Sequence, residues 1–221
     1  MKEPCRMLIR AVLLCLLLLP MGWLMAAYSG FSSVVLQRVE SQYGVAAKRR
    51  VLDWEGLMTD STLLNAQEST KLRAVNDFFN KVRWLDDLTV WGKNDYWATP
   101  LEFLERNAGD CEDFSIAKYF TLRELGVPES KLRIMYVKAL AYNQAHMVLL
   151  YYASPSAMPL VLDNINPKIE PASKRTDLVP VYSFNGSGLW INNSPTGQKV
   201  GTSDRIGPWR DLLARLQQER R

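Results

Sequence analysis

The stretch Asn-Ala-Gly-Asp-Cys-Glu-Asp-Phe-Ser, residues 107–115, places one cysteine among three carboxylates. A turn at Gly-Asp followed by apolar residues at helical spacing predicts that a helix begins at Cys111. A thiol is a nucleophile only as its thiolate, and the negative charges of Asp110, Glu112 and Asp113 oppose that ionisation. The segment therefore raises the question of why the sulfur lies among acids.

The residues after Cys111 predict a buried helix followed by a sheet. The apolar spacing continues as far as Leu125, and Gly126-Val127-Pro128 ends it. Strand patterns follow one another directly, and short consecutive strands usually pair antiparallel. The predicted strands cover residues 132–141, 145–152 and 159–162, with short edge strands at 182–184 and 188–191. The predicted fold class is α+β, with helices packed on an antiparallel sheet.

Three further helices are predicted outside this region. Residues 68–84 have apolar positions at i, i+3 and i+4, and Asp86-Asp87 is expected to end that helix. Thr99-Pro100 followed by Glu102 is a capping-box pattern and begins a short helix. Residues 208–221 predict a terminal helix.

The first 29 residues are typical of an export signal. Three basic residues precede a run without charge from Ala11 to Ala27, and small residues near Ala27 provide a cleavage site. An uncleaved signal anchor is the alternative, because the run approaches the ~17–25 residues that span a bilayer. Residues 30–221 are expected to form a single domain.

Charge and cysteine content narrow the function further. The net charge is +4, with basic residues scattered along the chain, which argues against a nucleic acid partner. Cys5 and Cys15 lie in the leader, so Cys111 is the only cysteine of the expected mature chain. Exported domains usually pair their cysteines. A single thiol there is either buried and inert or takes part in chemistry.

Two other residues complete a candidate catalytic triad. His146 is the only histidine of the chain and lies on the second predicted strand, and Asp163 ends the third. Adjacent strands would bring the imidazole and the carboxylate together, facing Cys111 at the start of the helix. A thiol protease needs this arrangement of nucleophile, base and orienting carboxylate. Each residue also has a structural explanation, as a buried apolar cysteine, a satisfied histidine and a strand-ending aspartate.

Longer motifs carry a resemblance to a known family. They are Asn-Asp-Tyr-Trp-Ala-Thr-Pro at 94–100, Gly-Asp-Cys-Glu-Asp at 109–113, Ala-His-Met-Val-Leu at 145–149 and Leu-Asp-Asn at 162–164. Over roughly residues 68–169 the chain resembles the bacterial transglutaminase-like cysteine proteinases. The resemblance implies a papain-like or transglutaminase-like core in which Cys111 is the nucleophile, His146 the base and Asp163 its orienter.

The resemblance also implies a biological setting. Members of the family are periplasmic, require calcium, and cleave a large surface adhesin near its N-terminal end at a paired-alanine site, which frees it from the outer membrane. An inner-membrane receptor that senses cyclic di-GMP captures the protease. A calcium-dependent endopeptidase that controls biofilm attachment is therefore expected.

Calcium would explain the acids around the sulfur. Asp110, Glu112 and Asp113 are hard oxygen donors of the kind that Ca²⁺ collects, although their spacing is not that of an EF-hand. A bound dication would turn the acidic surround from a penalty on the thiolate into a neutral or attractive one. The alternative is that these acids only complement the N-terminus of the helix.

Two other functions remain open at this point. The same Cys-His-Asp core would serve a transglutaminase, which passes the acyl group to an amine rather than to water. A non-catalytic exported binding module with an inert cysteine is the other alternative.

Overall fold

The computed structural model describes residues 30–191 and 197–219. The predicted signal peptide or anchor at residues 1–29 lies outside the described residues. The α-helices are α1 (Ser33–Tyr43), α2 (Val45–Thr59), α3 (Ser61–Leu64), α4 (Glu68–Phe79), α5 (Asp87–Trp91), α6 (Pro100–Arg106), α7 (Cys111–Glu124) and α8 (Gly207–Glu219). The strands are β1 (Arg83–Trp84), β2 (Ala108–Gly109), β3 (Leu132–Ala139), β4 (Gln144–Tyr151), β5 (Leu160–Leu162), β6 (Glu170–Pro171), β7 (Leu178–Asn185), β8 (Gly188–Ile191) and β9 (Gln198–Gly201).

The main sheet has the strand order β6-β5-β4-β3-β7-β8-β9. Every neighbouring pair in it is antiparallel. This confirms the predicted α+β class with an antiparallel sheet. β1 and β2 form a separate short parallel pair, which brings Trp84 beside Gly109 at the turn before α7.

Helix α7 lies at the centre of the fold. It packs on β4 and β3 of the sheet and against α4 and α6, and most of its side chains are buried. Ile134, Leu149 and Leu162 point from the sheet into this helical core. Because side chains alternate along a strand, the opposite face carries a second apolar cluster. That cluster contains Met135, Val137, Val148, Leu150, Tyr152 and Val161.

The helix predicted over residues 68–84 is too long. Helix α4 ends at Phe79, and β1 begins at Arg83. The prediction that Asp86-Asp87 ends a helix is also wrong in detail, because these residues begin α5. Asp86 is the N-cap, and its carboxylate accepts from the Thr89 N–H at 2.9 Å. Aspartate is among the preferred N-cap residues, so the same residue that suggested a break supplies a start.

The predicted edge strand at 182–184 is the inner strand β7, which pairs with both β3 and β8. Pro180 lies within β7, and a proline makes the sequence of this segment less typical of a strand. The register between β3 and β7 shifts next to that proline, opposite Tyr136 and Val137. A bulge is one of the few sheet positions that tolerates a residue without an N–H.

No helix within residues 30–191 and 197–219 has both the length and the apolar character needed to cross a membrane.

Candidate active site

The turn before α7 is built to fix the position of Cys111. The Asp113 carboxylate accepts from the Ala98 N–H at 2.8 Å and from the Asp110 N–H at 3.3 Å. A Cβ added at Gly109 would lie 2.2 Å from Asp113 Oδ2. The close approach of this carboxylate therefore requires glycine at 109. Cys111 is the first residue of α7, at the positive end of the helix dipole.

The Cys111 thiol lies in a negative environment, as the sequence indicated. Its Sγ donates to Glu112 Oε2 at 3.1 Å. Burial raises the pKa of the thiol well above its usual value, and the charges of Glu112 and Asp110 raise it further. The backbone N–H of Met147, next to His146 on β4, donates to the sulfur and lowers the pKa in part. Without a counterion at the acids, the thiol is therefore held in its protonated form.

His146 and Asp163 form a buried pair. His146 Nε2 lies 2.8 Å from Asp163 Oδ1, and both side chains are almost fully inaccessible. Burial alone would raise the pKa of Asp163, but hydrogen bonds from His146, the Ile165 N–H and Arg175 outweigh it and hold the pKa at about 2. An ionised carboxylate only accepts, so Nε2 carries a proton and Nδ1 is the free nitrogen of the neutral ring.

Arg175 is a part of the site that sequence reasoning missed. Its Nη2 donates to Asp163 Oδ2 at 2.7 Å, and the side chain is 3% exposed. Asp177 anchors the same guanidinium through Nε at 2.9 Å and Nη2 at 2.7 Å. Burial opposes the charge on Arg175, but these two carboxylates raise its pKa above the usual value. No local sequence signal distinguishes Arg175 from other surface-type arginines, because its role depends on where β6 and the turn after it place the side chain.

Two of the three predicted triad residues, Cys111 and His146, line one cleft, and the third, Asp163, is hydrogen-bonded to His146. Cys111, Glu112, His146 and Met147 line an open cleft of about 1130 Å³ between the start of α7 and the sheet. Asp163 lies directly behind the imidazole. Among the described residues, the sulfur is hydrogen-bonded to Glu112 rather than to His146. Cys111 and His146 therefore share one cleft, and the thiol is hydrogen-bonded to Glu112.

Acidic side chains converge next to the sulfur. Carboxylate oxygens lie within 4.8 Å of one another in the groups Asp87–Asp110–Asp113 and Asp87–Asp95–Glu112. Burial, followed by the charge of Glu112, raises the pKa of Asp110 to about 10. Burial likewise raises the pKa of Asp87 to about 6, against a hydrogen bond from the Tyr96 N–H. So many acids cannot all ionise together without a cation.

The hydrogen bonding of two oxygens in this cluster indicates whether a metal ion would fit there. Asp87 Oδ1 and Asp110 Oδ1 are buried and have no hydrogen-bond partner among the described residues. Unpaired buried carboxylate oxygens next to further carboxylates suit a hard dication such as Ca²⁺. Both oxygens of the predicted ligand Asp113 already accept backbone N–H groups. Sequence reasoning missed Asp87 and Asp95, since only folding brings α5 and its following loop beside α7.

Comparison with known proteins decides the family. A family model described as bacterial transglutaminase-like cysteine proteinase matches residues 48–192. The chain belongs to this family. This confirms the resemblance seen in the sequence, and with it the assignment to a family of cysteine proteinases. The comparison with curated proteins gave no match.

Solved structures of one member of the bacterial transglutaminase-like cysteine proteinases support the fold. Legionella pneumophila LapG is 40% identical over 85% of this chain and 99% of its own, with a TM-score of 0.72. An EGTA-treated structure of that protein covers 85% and 100% at 40% identity, with a TM-score of 0.73. A calcium-bound structure of it covers 82% and 97% at 40% identity, with a TM-score of 0.70. The predicted transglutaminase-like core is confirmed by this agreement.

Aromatic side chains line the cleft next to Cys111. Tyr136 and Tyr182 line it and stack with ring centroids 5.1 Å apart. Trp97 also lines it and is stacked on Phe184 at 5.6 Å, so this residue both packs the core and faces the cleft. Trp84 is 54% exposed at the rim. Aromatic side chains of this kind offer a large apolar contact area to a bound molecule.

Proposed function

We propose that the protein is a calcium-dependent periplasmic cysteine endopeptidase that cleaves the N-terminal region of a large surface adhesin. Cleavage releases the adhesin from the outer membrane and so controls biofilm attachment. The observation that carries the proposal is the buried His146–Asp163 pair beside Cys111, in an open cleft of a cysteine proteinase family member.

The proposed triad divides the chemistry among three residues. His146 takes the thiol proton on Nδ1, because Asp163 already occupies Nε2 at 2.8 Å. The Cys111 thiolate attacks the peptide carbonyl, and the amine leaves with the proton from the imidazole. Water then hydrolyses the thioester and restores the thiol. Asp163 stays ionised and steadies the imidazolium, which its low pKa favours.

The start of α7 supplies the second catalytic element. Backbone N–H groups in the first turn of a helix have no intrahelical acceptor, and the helix dipole favours negative charge there. Since Cys111 is the first residue of α7, an oxyanion formed at the attacked carbonyl would lie next to these groups.

Asp110, Glu112 and Asp113, together with Asp87 and Asp95, are the proposed calcium ligands. Their oxygens form overlapping groups within 4.8 Å, and two of them are buried without partners. When bound, the ion supplies positive charge beside the sulfur and offsets the acids that raise the thiol pKa. The calcium-bound and EGTA-treated structures of Legionella LapG support the choice of this metal.

The cleft supports a polypeptide substrate. It is open, and aromatic side chains are among the described residues that line it. Its lining carboxylates Asp95, Asp110 and Glu112 are proposed calcium ligands, so the bound ion would offset their charge. The proposed cut site is a pair of alanines. The proposed regulator is an inner-membrane receptor for cyclic di-GMP that sequesters the protease.

The test is to mix the protein with the N-terminal part of a candidate adhesin and to sequence the fragments. Cleavage at one site is expected with Ca²⁺, with none in excess EGTA and none by Cys111→Ala. Asp53→Asn, an exposed acid on α2, is the matched control and should cleave normally. Cleavage by Cys111→Ala would contradict the proposal. Incorporation of a labelled amine into a glutamine substrate without peptide cleavage would instead identify a transglutaminase.

A further inference from the structure

Residues 96–99 support two of the proposed calcium ligands through backbone amides. The Tyr96 N–H donates to Asp87 Oδ2 at 2.5 Å, and the Ala98 N–H donates to Asp113 Oδ1 at 2.8 Å. Because the Tyr96 amide holds Oδ2, the side chain of Asp87 is fixed while its buried Oδ1 has no partner among the described residues. The position of residues 96–99 therefore sets the position of two carboxylates of the site.

Arg215 of α8 holds this segment from the other side. Its Nη2 donates to the carbonyl oxygen of Trp97, which lies between the two amides in the chain. The guanidinium carbon lies 4.5 Å from the ring centroid of Tyr96, and Nε lies 3.3 Å from Glu102 Oε1. Glu102 in turn accepts from the Thr99 N–H at 2.8 Å. One side chain therefore contacts the segment at its start and its middle and, through Glu102, at its end.

Helix α8 is a firm support for this arginine. Trp209 is fully buried and stacks on Phe120 of α7 with ring centroids 5.6 Å apart. Near the other end of α8, Glu219 Oε1 accepts from the Thr99 hydroxyl at 2.6 Å. The planar guanidinium adds donors in a fixed geometry. The helix is therefore anchored in the core and also fastened to the segment that supports the acids.

We propose that Arg215 is a positioning residue for the calcium site. By holding residues 96–99, it keeps the amides of that segment on the carboxylates of Asp87 and Asp113. This role rests on the calcium binding of the proposed function. Loss of a group that hydrogen-bonds a metal ligand typically lowers metal affinity 10–100-fold. Arg215 acts one contact further out, so we expect its removal to weaken Ca²⁺ binding by about tenfold, the lower end of that range.

The sign of this effect distinguishes positioning from electrostatics. Arg215 carries a positive charge, which by itself repels a cation bound at the acids. On charge alone, its removal would strengthen Ca²⁺ binding. Weaker binding would therefore report that the carboxylates have lost their support.

The test is Arg215→Ala in the otherwise native full chain, without substrate, with the Kd for Ca²⁺ measured by isothermal titration calorimetry. The Kd should rise about tenfold. Arg210→Ala is the matched control and should keep the native Kd. Arg210 is an exposed arginine of the same helix, and it donates to the Asp204 carbonyl at 3.4 Å, away from residues 96–99.

A second control separates positioning from a general loss of stability. Lys71 Nζ donates to the Leu125 carbonyl at 2.7 Å, at the end of α7 about 20 Å along the helix from Cys111. Lys71→Met should therefore lower the unfolding temperature without changing the Kd for Ca²⁺. The Ala98 amide gives a readout without the metal, because in EGTA its hydrogen exchange should be about tenfold faster in Arg215→Ala than in Lys71→Met.

Three results would count against the positioning role alone and leave the proposed function intact. They are an unchanged Kd in Arg215→Ala, an equal loss of calcium affinity in Lys71→Met, and equal exchange of the Ala98 amide in the two variants. A native chain that binds no Ca²⁺ would instead overturn the proposed calcium dependence, and the positioning role with it.

Discussion

Replacing Asp163 by asparagine tests how the orientation of the imidazole affects catalysis, because the substitution leaves the shape of the site unchanged. In the native chain Asp163 Oδ1 lies 2.8 Å from His146 Nε2 and fixes the proton on that nitrogen. An asparagine amide can donate to Nε2 instead, which places the ring proton on Nδ1. The imidazole in this tautomer could not accept the thiol proton, so the substitution should slow catalysis strongly while the shape of the site is preserved.

The structure sets the scale of this effect. The pKa of Asp163 is about 2 against an ordinary 3.8, so the native partners favour its charged form by about 2 kcal/mol. An aspartate-to-asparagine change at the equivalent position of a serine protease lowers kcat about 10⁴-fold. We expect kcat/KM of Asp163→Asn to fall by about 10³–10⁴-fold, which corresponds to about 4–5.5 kcal/mol in the activation barrier.

Asp177→Asn is the matched control. Asp177 binds the same arginine at 2.7 Å, but its side chain is 47% exposed and does not reach His146. Its replacement should change kcat/KM by less than about threefold. The assay is cleavage of the adhesin N-terminal region with Ca²⁺, with thermal unfolding to verify that both variants fold. A folded Asp163→Asn variant with near-native activity, or an equal loss in both variants, would refute the role given to the carboxylate.

Three further predictions follow from named contacts. Because folding lowers the pKa of Asp163, the ionised carboxylate should stabilise the fold above about pH 4, and this stabilisation should be lost as the pH falls toward about 2. The acid unfolding of Asp163→Asn should lack this pH-dependent loss of stability. Identical pH profiles for the native chain and the variant would contradict the prediction. Gly109→Ala should lower the free energy of unfolding measured in urea by about 1–3 kcal/mol, because the added Cβ would lie 2.2 Å from a fixed carboxylate oxygen. Gly56→Ala, where the added Cβ inside α2 has open space around it, should raise that free energy by about 0.5–1 kcal/mol. Equal effects of the two substitutions would disprove the steric argument. Ca²⁺ at about 100 times its Kd should stabilise the fold by about 2.7 kcal/mol. In thermal unfolding, Asp87→Asn should lose most of this calcium-dependent stabilisation, while Asp53→Asn should keep it. An unchanged stabilisation of Asp87→Asn by Ca²⁺ would remove that residue from the ligand set.

Local signals in the sequence were sufficient for the helices next to Cys111. The Thr99 capping box is present, with the side chain accepting from the Glu102 N–H at 3.1 Å. Helix α7 begins at Cys111 as the turn before it indicated. These features depend on residues close together in the chain, where spacing and capping chemistry decide the outcome.

Features that depend on distant residues were not predictable in the same way. Arg175 reaches Asp163 only because β6 pairs with β5 and the turn after β6 places the arginine beside the end of β5. Asp87 and Asp95 join the acids at α7 through the packing of α5 and its following loop. Strand β7 was underestimated because Pro180 weakens its local pattern, whereas pairing with β3 and β8 on both sides stabilises it in the fold.

The rate at which iodoacetamide alkylates Cys111 tests the central claim most directly, since only the thiolate reacts. Peptide mapping identifies the modified sulfur, and the rates at pH 7 with Ca²⁺ are compared among the native chain, His146→Ala and Asp177→Asn. The account predicts that the native chain and Asp177→Asn react at similar rates and that His146→Ala reacts at least about tenfold more slowly. The same rate in all three would show that the imidazole does not activate the sulfur.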